Sequence, residues 1–393
     1  MESTTETPEA HAEVHEIGVQ QVQSLYELLR QVPDYRHQRG RRYEAATVLV
    51  ILLLAKLAGE STVSGIAHWA RLREAWLKGA LGLKRLPCTN TYHYICAHLD
   101  VGELNGKVRE WLAQVAPKRQ PGQLVHWAID GKVLRGTHRT LPTAQSGQEV
   151  LNVYAVDSGV LHHCQRIAGK GYEAATAYDF VKQSQCEGVV ITADALHTRP
   201  RFCRRIRQQQ GHYICIVKRN RPQLEAEIRQ LFALPPNPHD PVLTAQKVDA
   251  GHGRRIIRRI WTSSELNLAL KHEWQDVAQV FVLERRGWRN GKPIYESVCG
   301  LTSLPPELAS PAELLAYVQK HWHIENRCHW RRDATLREDA CTVHHALVAT
   351  ILAVLNSAIL ALLDYRHVTN TRQAIRTFAA FPEQALALLT HPL

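Results

Sequence analysis

The spacing of apolar residues changes character at residues 116–123 (APKRQPGQ), a polar stretch with two prolines and a glycine, and that change divides what the chain can fold into. Ahead of it, from Val19 to Ala116, apolar residues recur at helical spacing. One apolar run spans Tyr43 to Leu57. Ser61 is placed to cap a helix over Thr62 to Lys78, and Thr89 or Asn90 to cap another reaching Leu99. These residues predict an all-helical domain over 16–118, preceded by a disordered, acidic and polar tail at 1–15.

Behind the linker the apolar runs are short and bounded by turn residues, as strands are. Leu124–Ile129 ends at Asp130, Leu151–Val156 turns through Asp157, Ser158 and Gly159 into Val160–Ala168, and Gly188–Ala193 ends at Asp194. Helical stretches at Glu173–Lys182 and Arg199–Gln209 alternate with these, and His212–Val217 is a fifth strand. The order predicts an α/β fold with a mixed sheet and flanking helices. From Leu234 to Leu304 the pattern turns β-rich, with strands at Arg254–Trp261 and Val277–Glu284 and a hairpin tip at 287–292 leading into Ile294–Cys299. We read 119–233 as the first part of one domain, 234–304 as a β-rich insertion, and 305–393 as its second part. In that second part a helix over Ala312–Arg332 carries Glu325, and Val343–Tyr365 is a long apolar helix.

Ala346–Leu363 approaches the ~20 apolar residues that a membrane span requires. Asn356 and Ser357 interrupt it and His344, His345 and Asp364 flank it, so a core helix is expected. The nine cysteines form no CxxC pair, and the first residues are the opposite of a signal peptide, which together fit a reducing cytoplasm. Lys and Arg exceed Asp and Glu, 48 to 37, which favours a polyanionic partner over a small neutral substrate.

Asp130 and Asp194 are each the first charged residue after an apolar strand, where an open sheet presents groups to its ligand crevice. A single Asp in such a place often only caps a turn. Two in one sheet repel unless cations neutralise them, and their hard oxygens suit magnesium. Glu325 lies in a segment dense in bases and aromatics (320–333, KHWHIENRCHWRRD), where helical spacing groups it with His329 and with Arg332 or Asp333. An amphipathic surface helix has the same look. Lys132, Arg135, Lys218, Arg219 and Arg221 are candidate contacts to backbone phosphate. Arg201, Arg204, Arg205 and Arg207 form either a further basic face or a solvated one, and the basic run 34–43 is read in the same two ways. Trp288 at the hairpin tip is a candidate for stacking on an unpaired base, against the alternative of packing on its own sheet. His197, three residues after Asp194, is a candidate for touching DNA or orienting the metal shell, against the equal alternative of core or capping duty. His321, His323, Cys328 and His329 lack the paired spacing of a zinc site.

Five ordered blocks resemble the insertion-sequence DDE transposases of the H-repeat-associated branch: 128–136 (AIDGKVLRG), 192–198 (TADALHT), 213–224 (YICIVKRNRPQL), 251–254 (GHGR), and 321–326 (HWHIEN) with 337–340 (REDA). Residues 39–59 also resemble that family's leading domain. The resemblance implies a ribonuclease-H-like catalytic fold with Asp130, Asp194 and Glu325 as the catalytic, metal-holding triad. It also implies two Mg2+ ions, replaceable by Mn2+, and a reaction that nicks element ends and joins them to target DNA. Expected partners are terminal-repeat and target DNA and a second copy of the chain, at the nucleoid. Related enzymes carry Tyr, Arg and Lys around the catalytic Glu where this chain has Val318, His321 and Arg332; Arg332, His321 and the nearby His329 are candidate contacts to DNA, and Val318 is not. Two rivals stay open: a metal nuclease that cuts without joining and, motivated by Val318 and His321, a decayed or repurposed DNA-binding protein of the same fold.

Overall fold

The computed structural model describes residues 23–115, 122–140, 147–235, 237–251, 254–343 and 345–391. The tail expected at 1–15 and most of the linker at 116–123 lie outside the described residues. The helical block comprises α1 (Leu25–Arg30), α2 (Ala45–Leu57), α3 (Val63–Leu72), α4 (Glu74–Leu81), α5 (Thr89–Ala97) and α6 (Val101–Val115). Ser24 and Glu27 form a reciprocal capping box at α1, and the Thr62 hydroxyl caps α3 by accepting from Gly65 N–H. The stretch expected as one helix over 62–78 is two, α3 and α4, which meet at Arg73. Every residue of α2 is buried, including Lys56, which explains why this helix is apolar all round.

The strands are β1 (Val125–Leu134), β2 (Gln148–Ala155), β3 (Val160–Arg166), β4 (Val189–Ala193), β5 (His212–Val217), β6 (Leu243–Gly251), β7 (Arg254–Ser263), β8 (Gln279–Arg289) and β9 (Lys292–Thr302). They form one nine-stranded sheet in the order β3-β2-β1-β4-β5-β9-β8-β7-β6. β1 to β3 are antiparallel neighbours, while β4 and β5 run parallel to β1. That mixed α/β arrangement is the ribonuclease-H-like fold. The β-rich segment joins this sheet, because β9 pairs antiparallel with β5 from Ile214↔Thr302 to Val217↔Cys299. Its hairpin closes on Asn290 and Gly291 with φ of 52° and 74°, the positive pair that a two-residue turn between twisted strands requires.

Helices cover both faces. α7 (Glu173–Gln183), α8 (Pro200–Gln208) and α9 (Pro222–Ala233) pack on one side with Trp127, Ile129 and Ile191. After the short α10 (Asn267–Leu270) come α11 (Pro311–His321), α12 (Trp330–Ala334), α13 (Ala346–Tyr365), α14 (Thr371–Ala380) and α15 (Pro382–Thr390). α13 is the one described helix long and apolar enough to cross a membrane, and it is almost wholly buried between the helical block and the sheet. Even-numbered residues of β1, such as Ala128 and Leu134, face that second core, by the strand's period of two. The sheet is thus sandwiched, and Asp130 belongs to the α13 side.

Candidate active site

The parallel pairing of β1 with β4 ends at Ile129↔Ala193, so Asp130 and Asp194 are the next residues in register on adjacent strands. Neighbouring strands lie about 4.8 Å apart, which brings the two carboxylates to one mouth of the sheet. β4 stops there: Asp194 turns into a short 3-10 helix at 195–197 and its Oδ1 accepts from Leu196 N–H at 2.9 Å. β1 does not stop. It continues to Leu134 against β2, so Asp130 lies inside a strand and not at its end as the sequence suggested.

Glu325 arrives in a π-helical turn at Ile324–His329, between α11 and α12, whose Ile324 and Cys328 pack in the α13-side core. The single helix expected over 312–332 is therefore interrupted at the site itself, a place where such turns are often found. Asp194 and Glu325 are exposed, whereas the Asp130 side chain keeps a fifth of its surface. Burial, followed by the negative charges of Glu325, Glu173 and Asp194, pushes the Asp130 carboxyl up to about 8. The structure thus brings the three sequence-predicted acids into one electrostatic neighbourhood and adds a fourth.

That fourth acid, Glu173, went unremarked in the sequence. It opens α7, and its carboxylate lies over Gly131, where any Cβ would run into it. Its position as the first acidic residue of the helix after the third strand was the available signal. His197 is buried and its Nε2 lies 2.9 Å from Glu173 Oε1, so it steadies this acid and is not a surface contact to DNA.

The other predicted contacts divide by burial. Lys132 is buried, with Nζ 2.7 Å from both oxygens of Asp333 and within 4 Å of Glu338 and Asp339. Arg332 is completely buried, donating Nε to both oxygens of Glu338 at 3.0 Å and Nη1 to Asn152 Oδ1 at 3.0 Å. His329 is also buried, on Asn152 Nδ2 at 3.0 Å and with Nδ1 3.5 Å from Asp130 Oδ2. His321 points inward to Thr192 Oγ1 at 2.9 Å, and burial holds its ring down to about 4, so it is neutral. As placed, none of these four meets a phosphate. The expectation of surface contact fails because each is tied to a partner distant in sequence.

The exposed bases are Arg135, Lys218 and Arg219. Arg135 keeps four-fifths of its side chain in solvent, 3.7 Å from Asp339. Arg221 is half-buried, 3.8 Å from Glu273 and over the Trp274 ring. Arg201 and Arg205 stack on Tyr178 and Arg207 pairs with Asp276, so three of the four bases on α8 hold the fold together. In the run 34–43, Arg36 is buried on Asp34 and on the Tyr43 carbonyl. Trp288 stands more than half exposed near the end of β8 and is not packed into its sheet.

Among the described residues, no three His, Cys, Asp or Glu side chains are already drawn together as a preformed metal cage. The donor set nonetheless suits a hard divalent cation: Asp130, Asp194 and Glu325 offer only oxygen.

Known proteins place this architecture. The family model described as "Transposase DDE domain" matches residues 121–362, and one described as "DDE_Tnp_1-associated" matches 26–112. The chain is 26% identical over 276 residues to "Uncharacterized protein in dhlA 3'region" of Xanthobacter autotrophicus, covering 69% of this chain and 92% of that one. It is 21% identical to "H repeat-associated putative transposase YhhI" of Escherichia coli (strain K12), covering 85% and 88% of the two chains. Among solved structures it is similar to piggyBac transposase in a synaptic complex with hairpin DNA, at 12% identity, a TM-score of 0.42 and coverage of 93% of this chain and 78% of that one. With the first of these models spanning more than half of the sequence, the chain belongs to the DDE transposase family.

Proposed function

We propose that this protein cuts DNA at the ends of its own insertion sequence and joins the freed 3′ ends to target DNA, with Asp130, Asp194 and Glu325 holding two Mg2+ ions. The observation that carries the reading is the register of β1 and β4, which leaves Asp130 and Asp194 side by side, with Glu325 near enough to raise the Asp130 carboxyl. Bound there, Mg2+ or Mn2+ polarises the scissile phosphate and lowers the pKa of the attacking water or 3′-hydroxyl. The chain's own contribution is orientation. Asp194 is held by its turn and Asp130 by a paired strand, while Glu325 stands exposed on the π-helical turn. Arg135, Lys218 and Arg219 steer the DNA backbone toward this mouth, and Trp288 takes an unpaired base at the cut end.

Two ends must be held at once, so the working form is a homodimer on paired ends, in the cytoplasm at the nucleoid. The helical block, the catalytic domain in two parts and the β-rich segment between them are the units of this machine. Incubating the purified protein with labelled element ends and Mg2+ or Mn2+ tests the reading. Nicked and joined products that vanish in Asp130→Asn and Glu325→Gln variants are expected. Nicking without joining identifies a nuclease, and tight binding to uncut DNA identifies a repurposed DNA-binding protein.

A further inference from the structure

Beneath Asp130 runs a chain of buried polar side chains in which every hydrogen-bond direction is fixed by a group that can only donate. Arg332 has no acceptor, so the Asn152 atom that receives its Nη1 at 3.0 Å must be the amide oxygen. The other end of that amide is then Nδ2, a donor, and it lies 3.0 Å from His329 Nε2. An imidazole nitrogen that accepts carries no proton, so the ring's one hydrogen is on Nδ1, which faces Asp130 Oδ2 at 3.5 Å. Asp130 and Asn152 are cross-strand partners on β1 and β2, so the three side chains share one face of the sheet.

The relay is anchored at its far end as well. Both oxygens of Glu338 accept from Arg332 Nε, and Oε1 also accepts from Asn356 Nδ2 at 2.9 Å. Asn356 Oδ1 in turn accepts from the ammonium of Lys56 at 2.9 Å. Lys56 belongs to α2 and Asn356 to α13, so the helical block takes part in setting the orientation of the active-site residues. Asn152, Arg332, Asn356 and Lys56 are nearly or wholly out of solvent. Such an array is worth keeping only if every member is satisfied.

We infer that His329 is a positioning residue for the reaction: its Nδ1–H, aimed by Arg332 through Asn152, holds one oxygen of Asp130 and leaves the other for the cation. This rests on the reading of Asp130 as a metal ligand. The 3.5 Å separation is longer than a finished hydrogen bond, and such contacts shorten when the site is loaded. Outer groups that orient a ligand are each worth 10–100-fold in metal affinity.

The test uses the full-length protein with 15N-labelled histidine. In the metal-free wild type, long-range 15N–1H correlations should report Nδ1 of His329 as protonated and Nε2 as bare, the signal being assigned by its loss in His329→Asn. Asn152→Asp has two oxygens that only accept, so it should draw a proton onto Nε2. Calorimetry with Mn2+ alone should show His329→Leu weakened about 10–100-fold, while His329→Asn, whose amide N–H can occupy the Nδ1 position, keeps most of the affinity. End-DNA binding without metal should stay at the wild-type level in both. A wild-type ring protonated on Nε2, or no change of tautomer in Asn152→Asp, overturns the inference. So does wild-type Mn2+ affinity in His329→Leu when Asp130→Asn has lost it. If Asp130→Asn itself binds Mn2+ like the wild type, the metal reading is what has failed, and the tautomer in the metal-free protein still decides the relay.

Discussion

Replacing Asp130 by Asn should stabilise the metal-free protein while ending its chemistry. The carboxyl stands at about 8 in the folded chain against an ordinary 3.8, because burial first and then Glu325, Glu173 and Asp194 disfavour its charge. A carboxyl raised by folding contributes its full stability below its ordinary value and loses it as pH climbs through the folded one. Each pH unit in that window removes about 1.4 kcal/mol, so the ceiling on the loss at pH 7 is about 4 kcal/mol. Asp194 and Glu325 are exposed, so water screens their charges, and that lowers the expected gain in the Asn variant to about 1–3 kcal/mol. Thermal unfolding with EDTA at half-unit steps from pH 4.5 to 8.5 measures it. The two proteins should lie closest at pH 4.5, the end nearest the ordinary carboxyl value of 3.8, and the variant should draw ahead until about pH 8. Millimolar Mg2+ should then raise the midpoint of the wild type alone, since only a folded state that binds the ion gains from it. A variant no more stable than the wild type at pH 8 refutes the account of Asp130 as a carboxylate held against its own charge.

Arg332→Met should cost about 3–5 kcal/mol in urea unfolding, because it strands Glu338 in the interior, whereas a phosphate-binding Arg would instead lower DNA affinity at unchanged stability. Gly300→Ala should cost about 1–3 kcal/mol, since Gly300 faces Phe281 across β8 and β9 and a methyl group would enter that ring. Trp288→Ala should leave stability within about 0.5 kcal/mol and weaken binding to a pre-cut end with a flipped base by about 1–3 kcal/mol, read by fluorescence titration against an intact duplex. Equal loss on both DNAs would make Trp288 a general contact and not a stacking one.

The strands that build the site were legible because each is an apolar run closed by a turn signal, and Asp130 and Asp194 were legible as the first charges after two of them. The hairpin at Asn290 and Gly291 was legible for a similar reason, as only small residues take two positive φ values in succession. Glu325 was different: nothing in its own segment separates a metal ligand from a solvated helix face, and its role came from resemblance. Lys132 and Arg332 were misread because a charge in a sequence looks solvent-facing until its partner is known. Asn152 lies in β2 and Glu338 in a 3-10 turn beyond α12, and neither is marked by local pattern.

The π-helical turn has the largest consequence of what stayed hidden. One residue added to a helical turn rotates everything after it by about 100°. A straight helix would have placed Glu325, His329 and Arg332 together on one face. With the turn, Glu325 stays in solvent while His329 and Arg332 swing beneath the sheet mouth to brace Asp130. The position where related enzymes carry a lysine is therefore filled by an arginine turned inward. On the proposed function, contact to the DNA backbone is left to side chains that remain outside, and Arg135, Lys218 and Arg219 are exposed close in sequence to β1 and β5. Substituting those three should flatten the salt dependence of end binding by about one unit of slope per lysine or arginine, without altering the tautomer of His329.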